Sequence, residues 1–243
     1  MYKPDSKDIY YGWLIVAASF SITVIGGGIG GSLGVFALPM SEDLGWSRTL
    51  ISSAVAAGIL ISGFSQVFCG HLNDIIGARR LIILGIIFLG ITTILLSLTF
   101  NYLYFLVLFG IIRSALLGSQ SITTIGVLIA RWFRQKRATA ISIASSGGSV
   151  GGLLIVPFST YLIIVMDWRL TWVILGLIML VVLLPTAYLI LKNDPSNHKI
   201  SHLLGEINFK KGQLDKAEKF FKQSIQLDSD KKYLLSMGNL YIL

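Results

Sequence analysis

The sequence predicts an all-α, polytopic membrane protein: six transmembrane helices followed by a short soluble helical hairpin segment. Three observations carry this reading. Six apolar runs, at 12–38, 50–70, 81–99, 103–130, 138–164 and 169–191, each reach the ~20 residues that a helix needs to cross a hydrocarbon core. Charged residues make up only 13% of the chain and hydrophobic ones 54%, whereas a soluble domain carries about 25% charged residues. The cations, finally, cluster on one side of the runs.

The side is set by counting. With a cytosolic N-terminus, the cytosolic segments hold Lys3, Lys7, Arg79, Arg80, Arg131, Arg134, Lys136, Arg137 and Lys192, and the outer ones hold Arg48 and Arg169. Nine against two is a positive-inside pattern. Both ends of the membrane part are therefore expected in the cytosol, in a multi-pass protein of the plasma or inner membrane. The net charge of +8 needs no nucleic acid to explain it. Cys69 is the single cysteine, so neither a disulfide framework nor a cysteine metal cluster can form, and no metal or cofactor is expected. The first run is too long for a signal-peptide core and is kept as a spanning helix.

In the first span Gly26, Gly30 and Gly34 recur every four residues. Such spacing lets another helix approach closely and also eases bending. A nucleotide-binding loop would need a preceding strand and a soluble βαβ unit, and neither is present. Between the second and third spans lies Gly70-His71-Leu72-Asn73-Asp74-Ile75-Ile76-Gly77-Ala78-Arg79-Arg80. Asp74 is placed to accept from backbone N–H groups as the helix ends, and Gly77 supplies a tight turn. Arg79 and Arg80 hold the next helix at the headgroups.

This loop resembles the helix 2–3 loop of the major facilitator superfamily of secondary transporters. The match is Gly70, Asp74, Gly77, Arg79 and Arg80, with departures at Ile75 and Ala78, where that family usually has basic residues. The fourth span carries the one clearly intramembrane charge, Arg113, followed by Gly118 and Gln120. A charge at that depth costs several kcal/mol unless it faces protein or water. Two readings stay open: a translocation residue, or a structural arginine paired with a carbonyl or an acid. Arg113-x-x-x-x-Gly118 resembles the superfamily's helix 4 arginine motif. Arg113 and Gln120 are accordingly the substrate and translocation candidates.

The fourth span ends in Arg131-Trp132-Phe133-Arg134-Gln135-Lys136-Arg137-Ala138, basic residues that anchor helix ends to anionic lipid with Trp132 at the interface. The fifth span then brings Gly147, Gly148, Gly151 and Gly152, again a close-packing signal, with Pro157 beyond. It resembles the superfamily's glycine-rich helix 5, although Ser149 stands where some members have proline. Gly12-Trp13 with Gly34-Val35-Phe36, Gly45-Trp46-Ser47-Arg48, and Trp132-Phe133 with Lys136-Arg137-Ala138 together look like the monocarboxylate-transporter and oxalate/formate-antiporter branch. The acid which that branch often places before the Gly-Trp is Tyr10 or Tyr11 here, and the first span has no lysine.

Asp194-Pro195-Ser196-Asn197 breaks the last helix. The expected domains are 1–192, a six-helix transporter half; 193–197, a linker; and 198–243, a soluble segment. That last segment resembles an incomplete tetratricopeptide repeat, with Leu204, Gly205, Gly212, Ala217 and Phe221 at its packing positions. Such repeats need about three copies to bury a continuous core. His198 and His202 stand i, i+4, but without a third ligand they read as solvated.

The resemblance implies secondary transport of small organic anions, monocarboxylate or oxalate/formate-like, by proton symport or exchange, in a chain truncated or fused near 195. Substrate sits between two six-helix halves in that family, so the expected partners are the anion, protons, the bilayer, and either a second half or a second copy. The alternative is a membrane-anchored interaction protein that displays 198–243 to a cytosolic partner. No nucleophile, base and orienting group gather anywhere, which argues against an enzyme.

Overall fold

The computed structural model describes residues 6–133, 136–191, 207–209, 213 and 215–220, with side chains described from residue 11 onward. The chain forms two compact units, Met1–Leu191 and Lys192–Leu243. Every element among the described residues is helical. Six helices in the first unit are long and apolar enough to cross a membrane: α1 (Tyr11–Leu44), α2 (Arg48–Ile76), α3 (Ala78–Leu98), α4 (Tyr102–Trp132), α5 (Arg137–Val165) and α6 (Trp168–Ile190). In the second unit residues 207–209 and 215–220 are helical and Ala217 is buried. The repeat positions Leu204, Gly205, Gly212 and Phe221, and His198 and His202, lie outside the described residues.

Local chemistry sets the turns. Gly45 closes α1 with a left-handed φ of 66°, and the Ser47 hydroxyl accepts from the Leu50 N–H at 3.2 Å to start α2. The Asn101 side chain caps α4 by accepting from Tyr104 N–H at 2.7 Å. Asp167 does the same for α6, accepting from Trp168 N–H at 2.6 Å with φ at 135°, where a side chain is strained. Gly77 ends α2 at φ 85° and donates its N–H to Asn73 O at 3.0 Å. Here expectation and structure part. The helix runs on to Ile76, so Asp74 lies exposed within its last turn and receives no hydrogen bond among the described residues. The backbone of Gly77, not the carboxylate, closes the turn.

Small residues decide how the helices pair. On α1 and α5, a Cβ at Gly27 would lie 3.1 Å from Gly148 Cα, and one at Gly28 only 2.6 Å from Gly151 O. Thr23 donates to Ala144 O at 2.5 Å, and the Ser32 and Ser159 hydroxyls meet at 3.1 Å. On α2 and α4, a Cβ at Gly110 would be 3.1 Å from Ala54 O, and Ser65 donates to Ala115 O. On α3 and α6, a Cβ at Gly176 would be 2.8 Å from Gly90 O. Such approaches replace the hydrophobic drive that lipid removes. Exchanging the first three helices for the last three carries the α1–α5 pair onto α4–α2 and returns α3–α6 to itself. The bundle thus has the contact pattern of two repeated three-helix units.

Polar staples close both ends. At one end Arg169 donates to Asp43 Oδ2 (3.1 Å) and to the carbonyls of Ser97 (3.1 Å) and Thr99 (2.8 Å), its guanidinium 4.3 Å from the Trp168 ring centroid. At the other, Arg79 donates to Tyr188 O and the Tyr11 hydroxyl to Ile190 O, each at 2.8 Å.

Candidate functional site

The least regular helix is α4, and its irregularity follows from its hydroxyls and glycines. Residues Leu106–Arg113 are π-helical, Ser114–Leu117 α-helical and Gly118–Gln120 a 3₁₀ turn; Ser121 is extended (ψ 159°) before the helix restarts at Ile122. Ser114 donates back to Phe109 O at 3.0 Å, and Ser119 to Leu116 O at 2.7 Å. Thr124 donates to Gly118 O at 3.1 Å, so the carbonyl freed by the break is satisfied. Non-helical backbone at membrane depth persists only where protein or a cavity satisfies it.

Arg113 lies at the end of the π-helical stretch and is 3% exposed. Its guanidinium carbon is 5.0 Å from the Phe109 ring centroid, a cation–π contact. Its Nε is buried without a hydrogen-bond partner. Among the described residues it forms neither a salt bridge nor a hydrogen bond to a carbonyl, the two pairings a purely structural arginine would use. Gln120 is the next group on this face, since 113, 117 and 120 share one side of a helix. Its Nε2 is also buried without a partner.

Leu117 and Gln120 line a cleft of about 340 Å³ between α1, α4 and α5. Thr23, Gly26, Gly30 and Gly148 form its other walls. The glycines divide by use. Gly26 abuts the Gln120 side chain, and Gly147 and Gly151 meet α1 through Phe20 O and Gly28 N. A Cβ at Gly30, Gly34, Gly148 or Gly152 would meet nothing within 4 Å. Of these, Gly30 and Gly148 face the cleft. The structure therefore brings together Gln120, Gly26, Gly30 and Gly148, with Arg113 two turns along α4 and outside the cleft's lining. Gly70, Asp74, Gly77, Arg79 and Arg80 gather apart from it at the helix ends. There a Cβ at Gly70 would meet nothing within 4 Å, and Arg80 is exposed.

Several participants were missed in the sequence. Thr23 and Ser121 had no signal, because isolated hydroxyls in apolar runs are common. Asp43 and Arg169 could have been paired as the opposite charges of two loops on the same side.

Six apolar helices with the contact pattern of two three-helix units, and a broken helix beside a cleft, define one half of a secondary-transporter fold. The chain belongs to the Major Facilitator Superfamily, whose family pattern matches residues 14–237. That match runs on across most of the segment expected to resemble a tetratricopeptide repeat. The chain is 26% identical over 183 residues to the Uncharacterized MFS-type transporter YcxA of Bacillus subtilis, covering 75% of this chain and 45% of that protein. It is 27% identical over 170 residues to Monocarboxylate transporter 14 of Homo sapiens, covering 70% and 33%. To the Probable L-galactonate transporter of Escherichia coli it is 27% identical over 150 residues, covering 60% and 32%. The chain thus spans less than half the length of each of these relatives.

Proposed function

We propose that this chain supplies one six-helix half of a secondary transporter for small organic anions, monocarboxylate or oxalate/formate-like, working by proton symport or exchange with a second six-helix half. The observation that carries the reading is Arg113: a cation 3% exposed, on the face of a broken helix that lines a cleft, with an aromatic ring as its contact and, among the described residues, no anion beside it. A buried charge without a counter-ion is expensive. A carboxylate entering from the cleft side would supply the missing charge, and Gln120 Nε2 would donate to it. Two of the relatives are named for carboxylate cargo, a monocarboxylate and L-galactonate. The excess of cations at the ends of α2 to α5 supports a cytosolic placement of the N-terminus and of residue 192.

The test is uptake of labelled formate and oxalate into proteoliposomes holding this half within a twelve-helix carrier. Arg113→Ala is expected to abolish uptake while leaving membrane insertion intact, and Arg113→Lys, which keeps the charge, to retain part of it. Unchanged uptake in Arg113→Ala would remove Arg113 from the mechanism.

A further inference from the structure

The turn between α4 and α5 carries the feature that transport leaves unused. Trp132 and Phe133 are both held against the start of α1. The Tyr11 and Trp132 rings stand 5.2 Å apart, as do those of Trp13 and Phe133, the latter edge to face. Gly12 sits between these contacts, and a Cβ there would lie 3.0 Å from Phe133 Cζ. Phe133 is 8% exposed. Aromatic pairs of this kind add packing specificity to their burial, so Trp132 and Phe133 are pinned against the start of α1.

Pinning the aromatics inward leaves the neighbouring cations outward. Arg131, Lys136 and Arg137 are all exposed. None makes a hydrogen bond, an ion pair or a ring contact among the described residues. The contrast with the opposite rim is plain, since Arg169 there is satisfied by Asp43, Ser97 O and Thr99 O. The three free cations flank one turn at the edge of the apolar belt, where Trp132 marks the headgroup level.

We propose that Arg131, Lys136 and Arg137, fixed by the docking of Trp132 and Phe133 on Tyr11, Gly12 and Trp13, form a binding surface for an anionic phospholipid headgroup. The charge complementarity is of one sign. The place is the end of two spanning helices, which the phosphate of a membrane lipid reaches without leaving the bilayer. Three cations at the usual surface contribution of each correspond to a preference on the order of a hundredfold for anionic over zwitterionic lipid. Salt should weaken it, as the groups are exposed.

The experiment uses the full chain in detergent, with unfolding followed by a thiol-reactive dye on Cys69, which is buried and the single cysteine. Phosphatidylglycerol is expected to raise the unfolding midpoint, and phosphatidylcholine at the same concentration is not. Combining Arg131→Gln, Lys136→Gln and Arg137→Gln should remove the rise, while Arg131→Lys, Lys136→Arg and Arg137→Lys together keep it. An equal rise with phosphatidylcholine, with inorganic phosphate, or in the triple glutamine variant would overturn the proposal. Should that variant not fold, native mass spectrometry of the unaltered chain with an equimolar lipid mixture decides. Retention of phosphatidylglycerol in excess supports the site, and equal retention sinks it.

Discussion

Gly151 shows at the scale of one residue how the α1–α5 contact is made. A Cβ added there would lie 2.9 Å from Gly28 N and would press into Val24 O, both backbone atoms that cannot swing away. Gly30, one turn along α1 from Gly26, has open space where its Cβ would be. Gly151→Ala is therefore expected to destabilise the bundle by about 1–3 kcal/mol through overpacking. Gly30→Ala should be neutral or stabilise by up to about 1 kcal/mol, because alanine favours helix. Unfolding midpoints in detergent compare the two; equal effects would show that the α1–α5 crossing is looser than the geometry says. Arg113 is the other decisive residue. Its position in the chain marks it as a buried charge, but that no counter-ion stands beside it among the described residues is visible only from its neighbours.

Among the elements, the end of α6 illustrates how one helix is finished by others. The carbonyls of its last turn have no partners within the helix. Arg79 from the start of α3 takes that of Tyr188, with its guanidinium 5.6 Å from the Tyr188 ring, and Tyr11 from the start of α1 takes that of Ile190. Arg79 and Arg80 are adjacent arginines, yet only the first is used this way; Arg80 is exposed. Arg79→Gln should lower stability by about 1 kcal/mol, the usual worth of a charge-assisted bond at a part-exposed site. Arg80→Gln should stay within about 0.5 kcal/mol of the parent. The same unfolding assay separates them, and an Arg80 effect as large as that of Arg79 would refute the cap.

For the whole molecule, α2 presents two different exposed sides. Leu60, Phe64 and Phe68 are 68%, 79% and 66% exposed and form a bulky apolar side suited to lipid. Ser52, Ala56, Ile59, Gly63 and Gln66 follow another side, also exposed, on which Ile59 is the one bulky residue and Ser52 and Gln66 are polar. Polar groups are costly against acyl chains, so this second side is expected to meet water or a second six-helix unit. With Cys69→Ser as background, Gln66→Cys should react with a membrane-impermeant maleimide and Phe64→Cys should not. Protection of both would show that water does not reach the second side of α2, and equal reaction of both would remove the distinction between the two sides.

Much of this was legible beforehand. The six spans, the turn at Gly77 and the burial of Arg113 follow from hydropathy, residue type and spacing, which are local properties. The sequence predicts an end of the first span at residue 38, because Pro39, Ser41, Glu42 and Asp43 look like loop; the helix continues to Leu44, since a single turn at an interface tolerates polar residues. It also assigned Asp74 a capping task that Gly77 performs alone.

The sequence by itself determined that six segments are long and apolar enough to cross a membrane and that Arg113 lies within one of them. Those facts follow from the free energy of moving each segment into hydrocarbon, a sum over neighbours in the chain. The tertiary structure alone decided which glycines touch, that α4 breaks beside Gln120, that Arg113 meets the Phe109 ring and no anion among the described residues, and that Trp132 and Phe133 are seated on α1. These depend on pairs of residues that are distant in sequence, whose approach no single segment encodes.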